Sequence, residues 1–178
     1  AAEEARKKLN MQVYLTNTSN MPIEATEGEF PAIMLKKYVL RKDSGGAGEF
    51  RGGLGIWREY TVLNDNVAVN CFGDRQRFAP WGMEGGLDGE PGAFYHISAE
   101  TGAVTKLSAK TTGFPLKKGD IIRVFTPGAG GVGDPKKRPV EKVLQDVREN
   151  KVSRKAAETL YGVCITEKEN GQLDAVRI

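Results

Sequence analysis

Alternation of apolar and polar positions dominates the first two thirds of the chain. Residues 33–41 place Ile33, Leu35, Lys37 and Val39 on one side and Met34, Lys36, Tyr38 and Leu40 on the other. That period of two, mixed on both faces, predicts a strand partly covered on each side. Residues 56–63 repeat it, with Ile56, Arg58, Tyr60 and Val62 opposite Trp57, Glu59, Thr61 and Leu63. Val67, Val69 and Cys71 share one face of a third strand, and Ala93–Ile97, Val104–Leu107 and Ile121–Phe125 supply further ones. Ahead of them, 12–15 reads as a short strand followed by a polar, turn-forming run at 16–20 and by Pro22, which restricts Met21 to extended geometry. Residues 1–8 are charged and alanine-rich, a helix end or a tail.

The period changes in the last third. Val140, Val143, Leu144 and Val147 fall at i, i+3, i+4 and i+7, one stripe of an amphipathic helix with Pro139 at its first turn. Ser153 is a capping residue for a second helix over Arg154–Tyr161, which Gly162 ends. Two apolar runs, 163–165 and 173–176, flank Asn170-Gly171, a hairpin signal. The sum is an α+β chain: a mostly antiparallel β-rich domain with glycine-rich loops over 1–135, then a helical extension over 136–178 with two short helices and a terminal hairpin.

Composition sharpens this picture in three ways. Glycine, at 22 of 178 residues, is nearly twice its usual share of roughly 7% and favours short strands joined by tight turns. Two cysteines and one histidine leave no disulfide framework and no all-protein Cys/His zinc site. A formal charge of +3 is too slight to argue for a polyanion, and no apolar run approaches the roughly 18 residues of a membrane span. A soluble, cytoplasmic protein that binds neither nucleic acid nor membrane is the expectation.

Several segments carry candidate chemistry. Gly128-x-Gly130-x-x-Gly133 follows a strand and matches a dinucleotide fingerprint in letters, but Asp134-Pro135 stands where the fingerprint needs a helix to begin. A loop shaping a turn is the better reading. Residues 44–53 admit two: a loop needing positive φ at several positions, or an anion nest of backbone N–H groups with Arg51 as a fork. Asp74-Arg75-Gln76-Arg77, running into Phe78-Ala79-Pro80-Trp81-Gly82, is the most site-like stretch. Two arginines beside a carboxylate and a tryptophan hold an anion or anchor a partner, unless they form an ion pair that pins a long loop. His96, Cys71 and Cys164 sit in apolar strands and read as core residues. No nucleophile elbow or catalytic triad is present.

Taken together, the glycine segments resemble the hydantoinase B/oxoprolinase family. The likeness runs in order through Thr16-Asn17-Thr18-Ser19, Pro22-Ile23-Glu24-Ala25, Phe30-Pro31, the stretch 38–48 with Ser44-Gly45-Gly46-Ala47-Gly48, and Phe50-Arg51-Gly52-Gly53-Leu54-Gly55. It continues through Asp74-Arg75-x-Arg77, Pro80-Trp81-Gly82, Gly85-Gly86 and 128–135, and closes on Val143-Leu144-x-Asp146-Val147-Arg148 and Tyr161-Gly162-Val163. The family's large subunits are several times longer, so the resemblance implies their C-terminal portion. It implies work alongside an N-terminal hydantoinase B-type chain and an actin-like hydantoinase A-type ATPase subunit, with ATP and a divalent metal ion on those partners. The activity implied is ATP-driven opening of cyclic amides such as 5-oxoproline and hydantoins, by a complex in which this chain is not active alone. ATP-dependent carboxylation of ketones such as acetone or acetophenone is the alternative. Arg51, Asp74, Arg75 and Arg77 are the candidate catalytic residues, and Asn17, Glu24, Ser44, Gly45, Gly46 and Trp81 the candidate substrate-binding ones. No metal ligand is assigned to this chain. A competing reading makes the chain an assembly module that touches no substrate and docks through Trp81.

Overall fold

The computed structural model describes residues 23–29, 31–168 and 171–178; the strand expected at 12–15, the turn after it and Asn17 lie outside the described residues. A short helix α1 (Ile23–Glu29) leads into β1 (Ile33–Leu40), β2 (Ile56–Val62), β3 (Val67–Phe72), β4 (Ala93–Ile97), β5 (Val104–Leu107), β6 (Lys110–Leu116) and β7 (Ile121–Phe125). A 3-10 turn (Pro135–Lys137), helices α2 (Val140–Arg148) and α3 (Arg154–Tyr161) and the pair β8 (Val163–Glu167) and β9 (Leu173–Arg177) follow. The architecture is α+β with antiparallel pairing: a five-stranded sheet in the order β1-β2-β7-β4-β5 and two-stranded sheets β3-β6 and β8-β9. Two elements, α1 and β6, depart from the expected set. β6 hides in the sequence because Gly113, with φ of 65°, and Pro115 interrupt its alternation.

Alternation decides which face is buried. Phe94 pairs with Val124 on one side and Leu107 on the other, and with Val62 and Ile122 they form one apolar face of the large sheet. β3 and β6 close over that face with Val67, Val69, Cys71, Phe114 and Leu116. His96, on β4, bonds to the Asp120 carboxylate at 2.9 Å, while the N–H groups of Ala99 and Lys117 donate to the same carboxylate. This is the satisfied, half-buried histidine that the sequence suggested.

The 3.6-residue stripe behaves as predicted. Val143 is buried with Val152, Ala157, Tyr161 and Val163, and Val140 and Val147 pack beside them. Ser153 accepts the N–H of Ala156 at 3.0 Å, and Gly162 ends α3 at φ of 62°. Ala47 joins this second cluster, so the helical part rests on a glycine-rich segment of the β-rich part.

Between the two cores lies the unusual feature. Residues 44–48, 50–55, 80–83, 86–92 and 126–133 run past one another with neither helix nor continuous ladder, and each bonds to more than one neighbour. Gly46 donates to Ala129 O (2.8 Å), Leu87 to Ala47 O (2.7 Å), Glu90 to Ser44 O (2.8 Å), Gly131 to Leu87 O (2.9 Å) and Ala129 to Gly53 O (2.9 Å). The reason for glycine here is approach, not φ. A Cβ on Gly128 would lie 1.7 Å from Ser44 O, and one on Gly130 1.9 Å from Trp81 O. The loop reading expected positive φ, yet none of the glycines between 44 and 55 has it. Backbones meet at distances only a residue without a side chain permits.

Candidate functional site

The irregular stretch after β3 opens with Asp74 and Arg75. Arg75 is a non-glycine residue at φ of 55°, a sparsely populated conformation that needs support from its surroundings. Support comes from the glycine bundle: the N–H of Gly92 donates to Arg75 O at 3.0 Å. The guanidinium then lies over the Trp81 ring, 4.5 Å from its centre, and that of Arg77 over Phe78 at 5.3 Å. Trp81 is 63% exposed and Phe78 69%. Residues 73–78 with Ala109 and Lys110 bound an open depression of about 420 Å³. Lys110 reaches its rim because it pairs with Phe72 across β3 and β6, and its ammonium sits 5.3 Å from the Phe72 ring centre. Among the described residues, none of Arg75, Arg77 and Lys110 forms an ion pair with a carboxylate. The ion pair that would have made this loop a mere strap is therefore not formed. Sequence reasoning missed Lys110, since only the pairing of an unpredicted strand carries it here.

The other candidates lie elsewhere. Arg51 points inward: its Nε meets Asp146 at 3.2 Å and it donates to Gly52 O at 2.6 Å. Arg138 grips the same carboxylate oxygen at 2.9 Å and donates to Glu49 O at 2.9 Å. The Asp146 side chain is 6% exposed, so the group is a buried carboxylate shared by two arginines, joining residues 49–52 to α2. Burial pushes the nearby Tyr161 phenol up to about 12, against the opposing pull of Arg138 and Arg51. Ser44 is fully buried; its hydroxyl donates to Arg41 O and accepts the Gly55 N–H at 2.8 Å. Gly45 packs against Gly52 O, and the Gly46 N–H is taken up by Ala129 O. Glu24 is exposed on α1, beside the edge strand β1. The structure thus brings Asp74, Arg75, Arg77 and Trp81 together, places Arg51, Ser44, Gly45 and Gly46 within the scaffold, and sets Glu24 apart.

Neither a nucleotide cradle nor a metal centre fits the residues described. The 128–133 glycines bond to neighbouring backbone and lead into a 3-10 turn, not a helix whose N–H groups could face phosphates. No group of three or more His, Cys, Asp or Glu side chains among the described residues is placed to hold a metal ion. No helix among them is long and apolar enough to cross a membrane.

An α+β scaffold built on interlocked glycine segments, with a cation-rich rim, defines the class. Residues 7–135 match the family model of hydantoinase B/oxoprolinase, and the chain belongs to that family. An uncharacterized protein, MJ0963, of Methanocaldococcus jannaschii is 44% identical over 85% of this chain and 26% of its own. The beta subunit of caprolactamase from Pseudomonas jessenii is 36% identical over 85% of this chain and 26% of its own. The crystal structure of that ATP-dependent caprolactamase superposes with a TM-score of 0.69 over 86% of this chain and 26% of the solved one. A nucleotide-free acetone carboxylase shares the fold, with a TM-score of 0.76 over 88% of this chain and 25% of the solved one, at 19% identity. The chain spans about a quarter of the length of these relatives.

Proposed function

We propose that this chain is the C-terminal subunit, or part, of a hydantoinase B-type component in a multisubunit ATP-dependent enzyme that opens cyclic amides of the 5-oxoproline or hydantoin kind. The observation that carries the reading is the family match over 7–135, joined to 36% identity with a caprolactamase subunit. Cyclic-amide opening passes through negative charge on oxygen, whether on an ATP-derived phosphorylated species or on a tetrahedral adduct. Asp74, Arg75 and Arg77, with Trp81 behind them, form one wall of a cleft that the N-terminal hydantoinase B-type chain completes. The arginines stabilise that charge by charge-assisted hydrogen bonds, and Asp74 lines the same cleft. Arg51, Ser44, Gly45 and Gly46 act on this wall through the scaffold they hold together, while Asn17 and Glu24 contribute to substrate orientation. ATP and the divalent metal ion belong to the partner chains, the nucleotide to a hydantoinase A-type ATPase subunit, and the complex works in the cytoplasm.

The test is Arg75→Ala and Arg77→Ala in the assembled enzyme, with 5-oxoproline or hydantoin and ATP. Each should lower turnover by on the order of 10²-fold, as for removal of one oxyanion donor, while size-exclusion profiles stay unchanged. Unaltered turnover in an intact complex rejects the catalytic assignment. The exposure of Trp81 favours the second reading, an assembly module, for which Trp81→Ala would dissociate the complex instead of slowing it. The fold shared with acetone carboxylase keeps ketone carboxylation as the alternative chemistry; incorporation of labelled bicarbonate into acetone or acetophenone would select it.

A further inference from the structure

One side of the glycine bundle carries an apolar strip with β geometry. Phe50 and Val132 exchange hydrogen bonds of 3.0 and 2.9 Å as an antiparallel bridge. Met83 pairs with Val132 as a parallel one: its N–H donates to Gly131 O at 2.9 Å and its carbonyl accepts the Gly133 N–H at 3.0 Å. Bridged residues carry their side chains on the same side, so Phe50, Val132 and Met83 form one row with Val132 in the middle. Phe50 is 63% exposed and Met83 56%. Arg51, the next residue after Phe50, points inward to Asp146, and strand alternation then sends Phe50 outward. Exposed hydrophobics scattered singly need no explanation, but a bridged row marks an interaction surface. Phe and Met are enriched in interfaces, and a backbone already locked by the bundle lowers the cost of ordering them on binding.

Carboxylates flank the row. Glu49 precedes Phe50, Glu84 follows Met83 and Asp134 lies two residues beyond Val132. The Glu49 side chain rests against Gly133, where a Cβ would sit 3.4 Å from its Oε2. Among the described residues none of these three forms an ion pair, and neither do Lys136 and Lys137, next along the chain. The complement of such a surface is an apolar segment that bears Lys or Arg. The chain matches 26% of MJ0963 and 26% of the caprolactamase beta subunit, so about three quarters of each relative lies outside the match. The proposed function sets the N-terminal hydantoinase B-type chain against the rim that ends at Trp81, and Met83 stands two residues further on.

We infer that the Phe50–Val132–Met83 strip docks the N-terminal hydantoinase B-type chain, through a segment of that chain that presents apolar side chains beside Lys or Arg. The inference rests on the proposed function for the identity of the partner and adds the surface and the chemistry of its counterpart. Interferometry with the purified N-terminal chain and immobilised parent or variant tests it. Phe50→Ser and Met83→Ser should each raise Kd at least about tenfold with unchanged circular dichroism. Val104→Ser, which removes an equally exposed hydrophobe from β5, should leave Kd unchanged. Glu84→Asn suits the residue's φ of 51°, and Asp134→Asn keeps an acceptor for the Lys136 N–H. Each should raise Kd about threefold at low salt and have no effect at high salt. In the assembled enzyme, kcat at saturating N-terminal chain should match the parent for all four strip variants. Parental affinity in Phe50→Ser and Met83→Ser, or an equal loss in Val104→Ser, would overturn the inference. So would variants that release only the ATPase subunit, or that alter only self-association of this chain. Normal assembly of the strip variants alongside lost turnover in Arg75→Ala would remove this inference and leave the proposed function standing. Weakened assembly of the strip variants with Arg75→Ala and Arg77→Ala fully active would do the reverse.

Discussion

Gly52→Ala and Gly53→Ala should differ sharply in stability, although the two residues are adjacent and neither has positive φ. A Cβ on Gly52 would lie 2.0 Å from Ala129 O and 2.8 Å from Gly130 O, whereas one on Gly53 meets nothing within 4 Å. Since Cβ contacts below 3.0 Å essentially do not occur, the segment carrying Ala129 must retreat by about 1 Å. Ala129 O accepts the Gly46 N–H at 2.8 Å, and Ala129 N donates to Gly53 O at 2.9 Å. A displacement of that size takes both bonds out of range, at about 1–3 kcal/mol for each group left buried and unpaired. The total, about 2–6 kcal/mol, is a large part of the roughly 5–15 kcal/mol that holds a domain folded. At about 2–4 °C per kcal/mol for a chain of this size, Tm should fall by on the order of 10 °C. Gly53→Ala should stay within about 0.5 kcal/mol, with a small gain from the less flexible unfolded chain. Urea unfolding followed by tryptophan fluorescence, with calorimetric Tm as a second probe, measures both. Equal losses would mean that these glycines serve conformational freedom and would refute the close-approach account; two neutral substitutions would refute the packing itself.

Two further outcomes follow from buried carboxylates. Asp146→Ala leaves Arg51 and Arg138, with side chains 13% and 11% exposed, as buried cations without their shared partner. It should cost about 3–5 kcal/mol by chemical denaturation and hasten protease cleavage around residues 134–139, where a loss under 1 kcal/mol would show that the clamp is unimportant. Burial alone would raise the Asp120 carboxyl, but the N–H groups of Lys117 and Ala99 and the His96 ring outweigh it and lower it below its ordinary 3.8. A depressed carboxyl contributes stability in full above its unfolded value and loses it as pH falls through the folded one. Thermal melts between about pH 5 and 2 should therefore show a flatter acid limb for Asp120→Asn than for the parent, and identical limbs would remove Asp120 from the account.

The strands that sequence periodicity reveals are those whose partners demand alternation. Ile56, Arg58, Tyr60 and Val62 could be assigned to one face because a two-sided strand must sort its side chains. β6 escaped because Gly113 and Pro115 break that rule at a sheet whose two strands pair only with each other. The helical stripe around Val143 and the caps at Ser153 and Gly162 were legible since they are local. The glycine segments were not. Locally, glycine signals a turn or a nest; here its meaning is the distance between 44–48, 86–92 and 126–133, a property of strangers in sequence. Arg51 illustrates the same limit: a lone arginine beside glycines resembles an anion fork until Asp146, from a helix far along the chain, is found against it.

A rim without regular secondary structure needs a source of rigidity if it is to orient charge, and the bundle supplies it from both sides of the Arg75–Trp81 stack. Arg75 is tied through its carbonyl to the N–H of Gly92, and the carbonyl of Trp81 lies against Gly130, so close that a methyl group could not pass between them. Gly89 also donates to Pro80 O, just before the tryptophan. The stack's two backbones are thus held by segments that are themselves bonded to 44–48 and to each other. Fixing donors in advance is what makes electrostatic stabilisation effective, because no reorganisation is then required as charge develops. Glycine here is therefore best understood as part of the candidate site's mechanics: removing side chains lets five backbone segments lock at close range, and the locked backbone holds the Arg75–Trp81 stack.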